Sequence, residues 1–198
     1  STSGNIKIIT KKPDVTSLDY GVDLEYGSIT DGSNDQSLEA YINMPLGANT
    51  AVRVSAYDLQ DGGWIDNELT SKTFTNSGYT IDNSAHAEDD YNELNKSGFR
   101  IRLASEIMGQ NLDLSMLDQT SEFGGSWETD EAVGPRSNSR FSEEHFDDDF
   151  SQVSLSLSGD LNDNVEYIFT ASSFDRDVDY TYDYSEYVEY YNYDGPTY

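Results

Sequence analysis

Apolar and polar residues alternate along seven stretches of the chain, so that every second side chain is apolar. Side chains of a β-strand point alternately to its two faces, and this period therefore predicts seven β-strands with one apolar face each. The i, i+3, i+4 stripes of an amphipathic helix are absent. The apolar positions are every second residue of the segments 20–26, 38–44, 52–56, 99–103, 112–116, 153–157 and 165–171.

The segments between the predicted strands differ in length, and after the first link (31–36) short and long ones alternate. The links 45–49, 108–111 and 159–164 are short and contain Gly, Asn and Asp, which tolerate positive φ. The links 61–98 and 121–149 are long, acidic and partly aromatic, and loops of that length are uncommon in compact domains unless they are functional. Consecutive antiparallel strands would place all short turns at one end of the sheet and all long loops at the other.

This arrangement predicts an all-β fold, namely an antiparallel transmembrane β-barrel segment of about seven strands with short periplasmic turns and long outer loops. The sequence contains no run of about 18 apolar residues, so it predicts no membrane-spanning helix. A water-soluble β-sandwich has the same alternation and is the main alternative. Single-chain bacterial barrels have even strand numbers, and seven strands leave two raw edges. We therefore expect the barrel to continue beyond Tyr198 in a longer protein.

Composition excludes several functions. The 198 residues carry a net charge of −27, from 38 acidic and 11 basic side chains, and such a chain repels nucleic acid. It contains no cysteine, which excludes disulfides, thiolate nucleophiles and cysteine-based metal sites. The 15 tyrosines and 8 phenylalanines argue against intrinsic disorder despite the acidity.

Several short motifs resemble TonB-dependent outer-membrane transporters. GNIKIITKKP at 4–13 resembles the last strand of the plug domain in that family, except that Gly4-Asn5 replaces the usual Gly-Gly or Gly-Thr. MPLG at 44–47 followed by VRVSAY at 52–57 resembles the first periplasmic turn and third barrel strand. GGWIDN at 62–67 resembles the motif that then enters an outer loop. GYTIDN at 78–83, EDDYN at 88–92 and DYSEY at 183–187 resemble one branch of the family, and together the matches span most of the chain.

The resemblance implies the end of the plug domain and its junction in residues 1–14, and the N-terminal part of the barrel with outer loops in 15–198. The plug–barrel junction would be formed by Ile6, Ile8, Thr10 and Pro13. It also implies a location in the bacterial outer membrane with extracellular loops, no catalytic residue and no required cofactor. The implied function is active transport of a scarce ligand, a ferric siderophore or a glycan or other large nutrient. The partners would be that ligand, outer-membrane lipid with lipopolysaccharide, and the TonB motor complex, through a TonB box outside this segment.

Aromatic residues outside the strands are the candidate ligand contacts, because aromatic rings stack on sugars and chelate rings. Loop packing and an aromatic girdle at the membrane interface are the alternatives. The candidates are Trp64 and Trp127 in the long loops and Tyr187, Tyr190, Tyr191 and Tyr193 in the tail.

Acidic residues in 175–186 have the spacing of an EF-hand loop, with carboxylates at positions 1, 3, 5, 9 and 12. Tyr180 occupies position 6, where the sharp turn of that loop requires glycine, and strands rather than helices flank the segment. We favour a solvated acidic rim over a Ca²⁺ site here, and equally for the acids of 143–149. The candidate Ca²⁺ ligands are Asp175, Asp177, Asp179, Asp183 and Glu186.

Two arginines and two histidines are the remaining candidate functional residues. Arg100 and Arg102 alternate with apolar residues, so we expect them to face the barrel lumen and pair with acids of neighbouring strands or with the plug. His86 and His145 are far apart and no G-x-S-x-G motif occurs, which makes an enzyme the weakest interpretation.

The alternatives to active transport are a secreted acidic β-sandwich that serves as an adhesion or Ca²⁺-dependent binding module, and a passive porin.

Overall fold

The computed structural model describes residues 9–75 and 77–185. All its elements are β-strands, which are β1 (Asp19–Ser28), β2 (Asn34–Pro45), β3 (Thr50–Asp61), β4 (Asp66–Asn67), β5 (Ser71–Thr73), β6 (Thr80–Asp82), β7 (Leu94–Ile107), β8 (Gln110–Phe123), β9 (Ser137–Asn138), β10 (His145–Asn162) and β11 (Val165–Thr181). None of the described residues belongs to a helix long and apolar enough to cross a membrane.

Seven long strands form one antiparallel sheet in the order β1-β2-β3-β7-β8-β10-β11, so each strand pairs with the next long strand of the chain. The seven strands expected from the alternation are confirmed. Their apolar positions lie directly opposite one another, as in the row Ile42, Val54, Ile101, Met116 and Val153. The sheet is not closed, and β1 and β11 are its two edges.

The connections alternate between short and long, as the sequence indicated. The turn at Met108-Gly109 has only two residues, and both have positive φ (53° and 75°), the geometry that joins twisted antiparallel strands. The links 46–49 and 163–164 lie at the same end of the sheet, and 29–33, 62–93 and 124–144 lie at the other.

The strands extend further toward the long links than the apolar pattern indicated. The apolar alternation of β10 covers only 153–157, whereas the strand runs from His145 to Asn162. Backbone pairing with β8 and β11 continues beside Asp, Ser and Phe side chains, for example between Phe146 and Phe123. The ladder of backbone hydrogen bonds does not require apolar side chains, so the pattern marks the apolar part of each strand and not its end.

The apolar face of the sheet has no covering layer among the described residues. Val22, Leu24 and Phe169 are 68%, 76% and 56% exposed. Of the four buried hydrophobic residues within 9–75 and 77–185, Ile65, Phe74 and Tyr91 lie in the long link 62–93, and the fourth is Ala51. A β-sandwich would bury such a face under a second sheet.

The apolar band crosses the sheet at a slant. Direct pairing leads from Asp23, the centre of the apolar positions of β1, strand by strand to Arg176 of β11. The apolar positions of β11 are instead centred on Ile168, eight residues nearer the short turns. The band therefore shifts by somewhat more than one residue at each of the six steps between strands. With about 3.3 Å per residue and about 4.8 Å between strands, that is a slope of about 40°.

The two long links fold against each other. β4 pairs in parallel with β9, which lies about 70 residues later in the chain, and β5 and β6 form a small hairpin. Ile65 and Tyr91 are buried between these segments. We refer to residues 62–93 and 124–144 together as the loop cap.

Candidate functional site

The N-terminal segment crosses the polar face of the sheet and is held there by Arg102 of β7. Its Nη1 donates hydrogen bonds to the carbonyl and hydroxyl oxygens of Thr10, each at 3.0 Å. Nε and Nη2 of the same guanidinium donate to Asp113 of β8, at 2.9 Å and 2.7 Å for the shortest contacts. Bidentate pairing of this kind fixes the orientation of a guanidinium. The expected pairing of Arg102 with an acid of a neighbouring strand is confirmed.

A second anchor of this segment is Asn43 of β2, which is 1% exposed. Its amide nitrogen donates to the carbonyl oxygens of Asp14 and Ser17, at 2.9 Å and 2.8 Å, and its oxygen accepts from the Asp14 N–H at 2.8 Å. Pro13 is buried beside it. Hydrogen bonds from the hydroxyl and N–H of Thr16 lower the pKa of Asp14. Thr10 thus binds the sheet and Pro13 is buried, whereas Ile6 and Ile8 lie outside the described residues.

A groove of about 660 Å³ lies on the polar face beside this segment. Arg53, Arg100 and Tyr41 are among its lining residues. The Tyr41 ring covers Gly21 and has the Arg53 guanidinium 3.9 Å from its centroid, a cation–π contact. The expectation that Arg100 lies on the polar face is also confirmed.

The loop cap has a polar core organised by Glu144, which is 5% exposed. Its two carboxylate oxygens accept hydrogen bonds from the N–H groups of Ser126 and Asp183, each at 3.1 Å. Nε of Arg140 lies 3.4 Å from Oε1 of Glu144, and Nη2 of the same guanidinium lies 2.9 Å from Oε2 of Glu128. The residues just before β10 and just after β11 are therefore tied to the loop that follows β8.

Tyr91 joins the other long link to this core. Its hydroxyl accepts a hydrogen bond from the Asn138 amide at 2.6 Å and lies 3.0 Å from the Ser126 carbonyl oxygen, to which it donates. Asn67 extends the contact, because its amide nitrogen donates to the His86 carbonyl and its oxygen accepts from the Arg140 N–H. Burial lowers the pKa of Arg140, but Glu144 and its other partners outweigh this effect and the net shift is upward.

An aromatic cleft of about 330 Å³ opens beside this polar core. Its aromatic lining residues are Phe123, Trp127, Phe146 and Tyr182. Phe123 makes edge contacts with both Trp127 and Phe146, with ring centroids 5.7 Å and 5.8 Å apart. Phe123 and Phe146 are direct partners across β8 and β10, and Phe123 lies ten residues from Asp113, on the same face of β8. The cleft therefore lies on the face of the sheet that the N-terminal segment crosses, at its long-loop end.

The structure places the predicted ligand contacts Trp64 and Trp127 in different surroundings. Trp127 lines the aromatic cleft and is 65% exposed. Trp64 is half-buried at the start of the other link, where its backbone N–H donates to the side-chain oxygen of Asn92. The predicted contacts Tyr187, Tyr190, Tyr191 and Tyr193 lie outside the described residues. The sequence did not single out Phe123, Phe146 or Tyr182 as partners of Trp127, because their convergence depends on strand register.

The structure does not bring the candidate Ca²⁺ ligands together. Asp175, Asp177 and Asp179 alternate along β11, so neighbouring carboxylates leave the strand about 7 Å apart. Asp183 is 6% exposed, and one of its oxygens accepts hydrogen bonds from the N–H groups of Phe141 and Ser142. Within 9–75 and 77–185, no three His, Asp or Glu side chains form a metal-binding group. Glu186 lies outside the described residues.

The solvated acidic rim that we favoured is wrong for two residues. Glu144 and Asp183 are buried and bind backbone N–H groups, so their charges organise the loop cap and do not face water. Local sequence could not indicate this, since their partners lie up to 53 residues away.

Comparisons with known protein families, with curated proteins and with solved structures found no match for this chain.

Proposed function

We propose that this chain forms part of the wall and the outer loops of a TonB-dependent transporter in the bacterial outer membrane. The transporter takes up a scarce ligand, a ferric siderophore or a glycan, and needs no cofactor for this. Outer-membrane lipid and lipopolysaccharide surround the wall. The TonB motor complex acts through a TonB box outside residues 1–198.

The observation that carries the proposal is the uncovered and slanted apolar band. Soluble proteins rarely leave a continuous apolar surface of this kind without a partner. In an outer-membrane barrel the band is level with the bilayer, whereas the strands are tilted by about 35–45°. The band must then shift along the strands at each step, and the slope of about 40° calculated from the register has the expected size.

The contacts of the N-terminal segment favour a plugged transporter over a passive porin. The segment lies on the polar face, which is the lumen side of a barrel, and is bound by Arg102 and Asn43. A porin has a water-filled lumen and no plug segment to anchor there. The motif at 4–13 that resembles the end of a plug leads into this contact.

A secreted β-sandwich module is the other class of function. It requires a second apolar layer, and the strands among the described residues form a single large sheet and two small two-stranded ones. Chain outside the described residues would have to supply that layer.

The test uses the intact native protein in its own membrane. Outer membranes are separated from inner membranes, extracted with detergent and run on gels with and without boiling. We expect a heat-modifiable species in the outer membrane with the mass of a complete plugged barrel. Recovery in the soluble fraction without detergent would overturn the proposal.

A growth and uptake experiment then tests transport. Cells that lack the gene are compared with wild type for accumulation of ⁵⁵Fe-loaded ferrichrome and of radiolabelled oligosaccharides. Energy-dependent uptake that disappears with the gene and with TonB is the expected result. Uptake that persists without TonB would assign the protein to the passive porins.

A further inference from the structure

We propose that the aromatic cleft is a binding site for a neutral sugar chain. This inference rests on the proposed function, and it would make a glycan the transported ligand. The site consists of Trp127 as an exposed platform, with Phe123, Phe146 and Tyr182 beside it and Glu128 and His145 as polar groups.

The exposure of Trp127 is the first argument. Its side chain is 65% exposed although its ring packs edge-on against Phe123, so one surface of the indole remains open. Phe123, Phe146 and Tyr180 form a row of direct partners across β8, β10 and β11, and Trp127 packs against the first of them, with neighbouring centroids 5.7 to 6.3 Å apart. A row of rings suits a chain of flat, apolar-faced sugar rings, whereas a small organic cation is recognised by rings that enclose it.

The charges around the cleft are the second argument. Arg140 is the basic residue of its polar core, and two carboxylates, Glu128 and Glu144, already bind it. Among the described residues no arginine or lysine lines the cleft, so an anionic chelate or phosphate would lack a permanent positive partner. Glu128 remains 71% exposed and can accept hydrogen bonds from hydroxyl groups, and the protonated Tyr182 hydroxyl, whose pKa is raised by burial, can donate one. Neutral, hydroxyl-rich ligands match this set of groups.

Pre-organisation is the third argument. The hydrogen bonds of Glu144 to Ser126 and Asp183 fix the backbone on both sides of the cleft before any ligand arrives. A volume of about 330 Å³ is at the lower end of the range for ligand pockets and accommodates one or two sugar rings, with the rest of a chain extending outside. The cleft lies at the long-loop end of the sheet, on the face that the N-terminal segment crosses about ten residues further along β8, so a ligand released from it would remain on that face.

The test is isothermal titration calorimetry on the intact detergent-purified protein. The probes are maltohexaose, cellohexaose, laminarihexaose and xylohexaose, with tetramethylammonium and ferric citrate as the cationic and anionic comparisons. Trp127→Ala removes the platform, and Trp127→Phe keeps a smaller ring. Tyr79→Ala is the matched control, because Tyr79 is an exposed aromatic residue in the other long link.

We expect at least one hexasaccharide to bind, about tenfold more weakly to Trp127→Ala and less than threefold more weakly to Trp127→Phe. Tyr79→Ala should bind like the wild type. The proposal is overturned if no hexasaccharide binds, if Trp127→Ala binds unchanged, or if only tetramethylammonium or ferric citrate binds in a Trp127-dependent way.

The gel assay on the same preparation separates the two proposals. A heat-modifiable outer-membrane protein that binds no hexasaccharide overturns the sugar site and leaves the transporter. A detergent-free soluble protein with Trp127-dependent sugar binding overturns the transporter and supports the sugar site.

Discussion

Arg102 donates two hydrogen bonds from one nitrogen to Thr10, which precedes it by 92 residues. The remainder of the guanidinium is occupied by Asp113 on the next strand. Thr10 is therefore bound to the middle of the sheet and not to the edge strand β1 that follows it in the chain. This contact gives the predicted junction residue a specific partner.

Arg102→Ala should loosen the N-terminal segment and destabilise the sheet. It removes two hydrogen bonds to Thr10 and leaves Asp113, whose side chain is only 23% exposed, without a cation. We expect a loss of about 1–3 kcal/mol in the free energy of unfolding, measured by urea titration of the intact protein in lipid vesicles. Lys11→Ala is the control, because its ion pair is exposed and should contribute less than about 0.5 kcal/mol. Equal effects of the two substitutions would contradict this role of Arg102.

Asn43→Asp should release the chain around Asp14 with little change in side-chain shape. The new carboxylate cannot donate to the carbonyl oxygens of Asp14 and Ser17, and it would be buried beside them. We expect a loss of about 2 kcal/mol or more and faster protease cleavage within residues 9–18. Asn111→Asp, at an exposed position of β8, should leave both measurements unchanged. Protection from protease identical to that of the wild type would rule out Asn43 as the anchor.

Glu144→Ala should unfold the loop cap and leave the sheet intact. Arg140, which is 7% exposed, would lose its buried carboxylate and keep the exposed Glu128 and a 3.3 Å hydrogen bond to the Ser126 hydroxyl. The N–H groups of Ser126 and Asp183 would lose their acceptor. Removing one partner of a buried ion pair costs about 3–5 kcal/mol. We expect rapid proteolysis within 124–144 in a protein that still shifts on boiling. Glu143→Ala changes an exposed neighbour and should resist protease as the wild type does. If both variants resist equally, Glu144 does not organise the cap.

Leu114→Arg and Ser156→Arg place the same charge on opposite faces of the sheet. Leu114 belongs to the apolar band and is 42% exposed, whereas Ser156 lies directly opposite Asp113 on the polar face. An arginine facing lipid near the bilayer midplane costs about 2–4 kcal/mol, and one facing the lumen costs far less. Urea titration in vesicles should therefore show a large loss for Leu114→Arg alone. A larger loss for Ser156→Arg would reverse the assignment of the two faces.

The sheet could be predicted from the sequence because its signal is local. Two apolar residues such as Leu24 and Leu38 each sit in a clear period-two pattern, and a short link between them sets the register. The turn at Met108-Gly109 likewise has a local signal in its glycine.

The loop cap could not be predicted because its contacts join distant residues with no periodic pattern. Asn67 binds the backbone of Arg140, 73 residues away, and Glu144 is one acid among many in its segment. Acidity alone indicated exposure to water, and only the tertiary hydrogen bonds reveal that Glu144 and Asp183 are buried. The partners of Trp127 were missed for the same reason, since Phe146 reaches the cleft through the pairing of β8 with β10.

The most direct test of the membrane assignment is a nitroxide scan of residues 112–117 in β8. Single cysteines are introduced into the intact protein, spin-labelled and reconstituted into lipid vesicles, and accessibility to oxygen and to a water-soluble nickel chelate is measured at each position. Because residues 112, 114 and 116 share the uncovered apolar face, the account predicts high oxygen and low nickel accessibility there, and lower oxygen accessibility at 113, 115 and 117. High nickel accessibility at 112, 114 and 116 would mean that this face meets water, and no alternation would mean that it is buried against protein. Either result would contradict the barrel-wall assignment.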